Sequence, residues 1–365
     1  MADGVPLTGQ TDSRWRATIA SGIGLLLLVG LSAVRLLEPV ETPSAAVFTG
    51  ATMGTTYSVK LADKPAKERS RAITKAIAEA LERTDRTAST YRDDSELARF
   101  NRHADSGAPF EPTPALRTMF EIALDIGQRS GGALDVTVGP LVNAWGFGPE
   151  ARKVPDAEML AALQQRVGLH HLRMDQAGLH KSLADLTCDL SAIAKGYAVD
   201  QVVSTLERLG QTNFLVEIGG ELRGRGRRPD GQPWHVGIEK PLRELPGEAP
   251  RHRVERVVRL SNLAMATSGD YRNYLDSPDG PRPHLIDPRT GRPIEHALAS
   301  VTVLHHSTAR ADGWATALGI LGPSEGPTVA RREGLAAFFI VRTGAQTFRS
   351  ITTPAFDRLA GAMEP

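Results

Sequence analysis

Two hydrophobic periods divide the chain. Across residues 65–84, Ile73, Ile77, Ala80 and Leu81 recur three or four apart with charge on the opposite face, the period of an amphipathic helix. Residues 113–130 repeat that period and run into Gly131-Gly132, which predicts a second helix with a glycine stop. Between them the polar stretch Ser89-Thr90-Tyr91-Arg92-Asp93-Asp94 leads into another helix, with Asp94 or Ser95 as its N-cap. Residues 155–167 read as a short helix. Period-two alternation dominates elsewhere. Residues 47–60 read as two short strands around Gly50 and Met53-Gly54, and 214–218, 222–226, 234–239, 254–260, 263–268, 299–304 and 336–341 read as further strands. Phe214–Ile218 ends in Gly219-Gly220, which suits a hairpin with 222–226 as partner. No regular β-α-β alternation emerges, so the pattern predicts an α+β domain with mixed or antiparallel sheets and flanking helices. The charged, proline-bearing stretch 243–253 is expected to be a loop.

Three segments carry candidate chemistry. The stretch 189–200, Asp-Leu-Ser-Ala-Ile-Ala-Lys-Gly-Tyr-Ala-Val-Asp, reads as a strand end passing into a helix that continues to Leu209 and stops at Gly210. Two carboxylates, a lysine and a glycine at such a junction suit an anionic ligand, because amides at a helix start point outward. An ordinary connection with a solvated lysine fits the same residues. Asp312 and Thr316 are four apart and share a helix face. A carboxylate with a hydroxyl suits a hard cation such as Mg²⁺, while a plain N-cap role for Asp312 is the competing reading. His284 precedes a turn at Asp287-Pro288 with Gly291. It can act on a hydroxyl, position a phosphate, or be structural. Gly219-Gly220 and Thr267-Ser268-Gly269 are small enough for backbone to approach a nucleotide.

Composition narrows the class. Of 365 residues, 41% are hydrophobic and 23% charged, the balance of a globular protein, and a formal net charge of +1 gives no global field for nucleic acid. Cys188 is the only cysteine, so an intramolecular disulfide and a cysteine-rich metal centre are excluded. Any metal must be held by oxygen or histidine. No Gly-x-Gly-x-x-Gly, P-loop or His-Glu-x-x-His motif occurs, and no nucleophile elbow of the Gly-x-Ser-x-Gly kind is expected.

At the N-terminus, Arg14 and Arg16 precede an uncharged run of 18 residues, 17–34, closed by Arg35. It is expected to be a transmembrane anchor, with a cleaved signal peptide as the close alternative. Arginines ahead of the run predict a cytoplasmic N-terminus and export of the remainder. The domain plan is therefore a cytoplasmic segment (1–16), a membrane or signal segment (17–37), a linker (38–46), one catalytic domain (47–350) and a C-terminal tail (351–365).

Taken in order, eight segments resemble the ApbE family of FAD:protein FMN transferases. They are 53–57, 89–91 with 95–97, 132–137 with 139–142, 189–200, 217–221, 266–271, 284–288 and 312–317, and the resemblance spans about residues 47–345. It implies an enzyme on the periplasmic side of the inner membrane that splits FAD with Mg²⁺. The FMN half would pass to a Ser or Thr hydroxyl of an acceptor protein, a redox-complex subunit, with release of AMP. By this resemblance Met53, Tyr91, Ala133, Leu134, Asp135, Asp189, Lys195 and Ile286 contact FAD. Asp312, Thr316 and the carbonyls of Ala192 and Ala315 hold Mg²⁺, and His284 activates the acceptor hydroxyl or stabilises the phosphoryl group. An FAD pyrophosphatase giving FMN and AMP, and a non-catalytic exported flavin-binding protein, are the alternative functions. The chain lacks the cysteine that follows the signal in many family members, which bears on the tether and not on the chemistry.

Overall fold

The computed structural model describes residues 45–104, 108–148, 154–242, 253–270, 274–275, 282–344 and 346–360. The expected anchor, its linker up to Ser44 and the loop at 243–252 lie outside the described residues. Among those described, no helix is long and apolar enough to cross a membrane.

The chain starts with a hairpin, β1 (Ala46–Thr52) and β2 (Thr55–Leu61), followed by the helices α1 (Lys67–Ala88), α2 (Glu96–Arg102) and α3 (Pro114–Arg129). Capping follows the local chemistry: the Ser95 hydroxyl accepts from Ala98 N, and Thr113 caps α3 ahead of Pro114. Gly131 and Gly132, at φ 67° and 81°, carry the chain out of α3 in a conformation that side chains resist. A 3₁₀ turn (Val136–Val138), α4 (Gly139–Trp145), α5 (Ala157–Gln164) and the small pair β3 (Leu172–Met174) and β4 (Leu179–Lys181) lead to α6 (Ser191–Arg208). Next come β5 (Phe214–Ile218), β6 (Glu221–Arg225), β7 (Trp234–Glu239), β8 (Val254–Leu260) and β9 (Leu263–Gly269). After the two-residue strands β10 (Tyr274–Leu275), β11 (Arg282–Pro283), β12 (Ile286–Asp287) and β13 (Arg292–Pro293), the chain closes with β14 (Leu298–His305), α7 (Thr308–Arg332), β15 (Ala336–Arg342), β16 (Phe348–Thr352) and α8 (Pro354–Ala360).

Eight strands form one sheet in the order β1-β2-β5-β6-β9-β14-β15-β16, and every neighbouring pair is antiparallel. The α+β expectation holds, and the mixed-sheet option is replaced by a wholly antiparallel main sheet. Both faces are covered. Residues of one face, such as Val301, Val303 and Phe339, pack on Trp314, Ala315 and Leu318 of α7. Their neighbours Phe338 and Ile340 turn the other way, onto Trp234, Ile238 and Val258 of the β7–β8 ribbon and Phe356 of α8. At the β2–β5 end, α1 and α6 supply the cover through Ile73, Ile77, Val199 and Val203. Central strands are therefore apolar on both sides and lack the clean polar alternation of a half-exposed strand.

Two sequence expectations change. The expected C-terminal tail from 351 enters the fold: β16 ends at Thr352, Phe356 is fully buried, and the Thr353 hydroxyl donates to the Leu335 carbonyl at 2.7 Å. No strand leads into α6. Residues 185–190 run unpaired, tied instead by Asp189 N donating to Val136 O at 2.7 Å. Residues 139–145, for which the pattern predicted no element, form α4, ended by Gly146 at φ 88°. Gly322-Pro323-Ser324-Glu325-Gly326 has the Gly-x-Ser-x-Gly form, but it lies at the kink of α7, not on a strand-to-helix turn.

Candidate active site

Helix α6 and helix α7 meet closely because residue 196 is glycine. A Cβ there would stand 2.4 Å from the Thr308 carbonyl oxygen and 2.8 Å from Ala309 Cα. With that close approach, Gly196 N donates to Asp312 Oδ2 at 2.9 Å. In a regular helix this amide serves the carbonyl four residues back, that of Ala192. Sharing it brings the Ala192 carbonyl and the Asp312 carboxylate into one neighbourhood. Asp200, one turn further along α6, secures the start of α7. Its carboxylate accepts from Ser307 Oγ (2.8 Å), Thr308 N (3.0 Å), Thr308 Oγ1 (2.8 Å), Ala309 N (3.1 Å) and Arg223 (2.8 Å). Ser307 is the N-cap of α7, so Asp312 is not a cap. It lies in the second turn, buried and directed toward α6.

A cavity of about 630 Å³ opens above this junction. Its floor is formed by Ala192 and Lys195 of α6, Asp312 and Thr316 of α7, Ser268 of β9, and Gly219-Gly220-Glu221 of the β5–β6 turn. Ser268 and Thr316 join their hydroxyls at 3.4 Å. Its walls include Met53 from the β1–β2 turn, Tyr91, residues 133–136, Phe147, the β7 residues 236–239, and His284 to Ile286. Every residue expected to bind FAD lines it: Met53, Tyr91, Ala133, Leu134, Asp135, Asp189, Lys195 and Ile286. So do His284, Ala192, Asp312 and Thr316. Ala315 does not. It is fully buried in mid-α7, packed toward the core.

Several of these residues also have structural roles. Asp135 caps the 3₁₀ turn, accepting from Thr137 N at 2.8 Å and Thr137 Oγ1 at 2.6 Å, and burial pushes its carboxyl above the ordinary range. Asp189 accepts from Ser191 N at 2.7 Å, so one amide at the start of α6 is already taken by the protein itself. Tyr91 stands 69% exposed at the rim and donates its hydroxyl to Phe147 O at 3.2 Å, leaving a ring face available for stacking. His284 lies edge-on to Phe147, ring centroids 6.4 Å apart. Trp145 Nε1 donates to Gly291 O at 2.8 Å, which holds the His284–Gly291 segment against α4.

Met53 occupies the first position of a two-residue hairpin turn at φ 47°, followed by Gly54 at 71°. Such turns favour Asn-Gly, and an unbranched apolar side chain there costs on the order of 1 kcal/mol. From this turn the Met53 side chain lines the cavity wall.

Glu221 and Asp200 were not among the residues carried over from the family resemblance. Glu221 is 3% exposed, and its Oε1 accepts from Lys195 Nζ at 2.6 Å. Its register opposite the inward Ile218 places it inside, a signal present in the hairpin pattern itself. Burial, reinforced by Asp312, raises the Glu221 carboxyl against the pull of Lys195. Burial likewise raises Asp312, again opposed by Lys195. Burial alone would lower the ammonium, but Asp312 and Glu221 outweigh it and Lys195 ends above the ordinary lysine range.

The cavity is acidic. Among the described residues, Asp135, Asp189, Glu221, Glu239 and Asp312 line it against the ammonium of Lys195. Among the described residues no three His, Cys, Asp or Glu side chains converge as a metal cage. One carboxylate, a hydroxyl and a backbone carbonyl are nonetheless a hard-oxygen set. They fit a Mg²⁺ that keeps water and phosphate oxygens for its other positions.

Residues 53–339 match the model of the ApbE family. A Vibrio cholerae protein named FAD:protein FMN transferase is 44% identical over 320 residues, covering 87% of this chain and 93% of its own. The Salmonella typhimurium protein of that name is 42% identical over 322 residues, with coverage of 86% and 89%. The solved structure of the flavin transferase ApbE from Vibrio cholerae superposes with a TM-score of 0.79 at 42% identity, covering 87% of this chain and 99% of that one. The chain belongs to the ApbE family and is an enzyme of the transferase class.

Proposed function

We propose that the protein splits FAD and transfers its FMN half to a Ser or Thr hydroxyl of an acceptor protein, releasing AMP. The observation that carries this reading is the convergence of Lys195, Asp312, Thr316 and His284 on one cavity whose other wall is apolar and aromatic. Such a cavity suits a flat ring system attached to a diphosphate. The acidity of the floor adds a second requirement. Among the described residues, a diphosphate would meet five acidic side chains and one ammonium, so it is held better when a dication accompanies it.

Mg²⁺ would be held by Asp312, Thr316 and the Ala192 carbonyl, and would supply charge neutralisation at the phosphate oxygens. Lys195, held charged, faces the same oxygens. Met53 and Tyr91 offer a thioether and a ring face to the isoalloxazine or adenine. The acceptor oxygen bonds to the FMN-side phosphorus, the P–O bond to AMP breaks, and His284 takes the hydroxyl proton. The acceptor is proposed to be a redox-complex subunit. The apolar run 17–34 supports a tether to the inner membrane with the catalytic domain on the periplasmic side.

Asp312→Ala tests the assignment. Tryptophan and flavin fluorescence titration should show FAD still bound, while AMP release with acceptor present falls by at least about a hundredfold, the scale of losing a group that neutralises developing charge. Unchanged AMP release would remove Asp312 from the chemistry. Undiminished FAD binding with no AMP release from the wild type would leave a flavin-binding protein. AMP with free FMN and an unlabelled acceptor would make it a pyrophosphatase.

A further inference from the structure

We propose that Glu221 keeps Lys195 off Asp312, so that the Asp312 carboxylate stays open to a divalent cation. This rests on the reading of Asp312 as a metal ligand, and it assigns a positioning role to a residue outside the expected site.

Two buried carboxylates share one ammonium on this floor. Lysine carries a compact charge on a four-carbon stem, and within a confined site it is drawn to whichever carboxylate offers the better partner. Its Nζ is 2.6 Å from Glu221 Oε1, whereas Asp312 Oδ2 takes its hydrogen bond from the Gly196 amide. The turn is built for this choice. Gly219 and Gly220, at φ 60° and 107°, reverse the chain so that Glu221 pairs with Ile218 and faces inward. Gly220 N donates to Glu217 Oε1 at 2.8 Å and pins the reversal. The stem of Lys195 passes against Gly219, where a Cβ would stand 3.3 Å from Lys195 Cδ and 3.0 Å from Thr55 Cγ2. A side chain at 219 would crowd the route by which the ammonium reaches Glu221.

Without the Glu221 charge the strongest partner left to the ammonium is Asp312. A lysine paired there would occupy the charge and the space a cation needs. Glu221 thus acts on the metal through Lys195.

Mn²⁺ binding to the full-length protein, followed by electron paramagnetic resonance without FAD, tests this directly. Four proteins are compared: wild type, Glu221→Gln, Lys195→Met and the double variant, each checked for folding by near-UV circular dichroism. Glu221→Gln should weaken Mn²⁺ binding about tenfold in the wild-type background and by less than about twofold when Lys195 is already Met, the non-additivity expected of a coupled pair. Glu221→Asp, which keeps the charge at shorter reach, is the second probe and should weaken binding less than the glutamine variant. Equal losses in both backgrounds would show that Glu221 acts only as a distant negative charge and would overturn the proposal with the metal site intact. So would no loss in either. Undiminished Mn²⁺ binding by Asp312→Ala would instead overturn the underlying metal assignment, and the proposal with it.

Discussion

At the scale of single residues, the site is assembled from groups held in unfavourable states. Met53 is a non-glycine residue at positive φ, and its side chain is both core packing and cavity wall. Met53→Asn relieves the turn and forfeits the packing, so unfolding free energy should change by less than about 1 kcal/mol while FAD affinity drops several-fold. Chemical denaturation beside a flavin titration checks both. A matching loss of stability and affinity would make Met53 a core residue first.

At the scale of elements, the α6–α7 junction organises the floor. Gly196 sets the separation of the two helices, and Asp200 anchors the start of α7 with four hydrogen bonds and takes a fifth from Arg223 of β6. Asp200→Ala should cost about 2–4 kcal/mol in urea unfolding, the scale of a lost charged cap that also tied two elements. A cost below about 1 kcal/mol would show that Ser307 caps α7 unaided. This junction also marks what was legible from sequence. The helical periods of α1, α3 and α6 and the Gly-Gly stops were readable because local geometry dictates them. The strand expected before Asp189 failed because those apolar residues are buried by packing on α3 and the 3₁₀ turn, not by pairing in a sheet. Glu221 and Asp200 stayed unassigned because their partners, Lys195 in one case and residues 307–309 in the other, lie 26 and more than a hundred positions away. The segment 351–360 looked like a tail because its burial depends on the far face of the sheet, met only once β15 and β16 pair.

At the scale of the whole molecule, one antiparallel sheet brings segments from Met53 to Thr316 to a single cavity, and the residues expected to touch FAD all reach it. Their order along the chain was legible; their convergence needed the fold. Ala315, expected to offer its carbonyl to the metal, does not line the cavity, and its side chain packs in the core. The measurement that bears most directly on the account is covalent labelling of an acceptor. The full-length protein is incubated with FAD, Mg²⁺ and the Thr-bearing domain of a flavinylated redox subunit, and the acceptor's intact mass is read beside AMP release. The account predicts an acceptor heavier by one FMN less water, one AMP per label, and loss of both with EDTA or with Asp312→Ala. An unmodified acceptor with AMP and free FMN accumulating at full rate, for every acceptor tried, would contradict it.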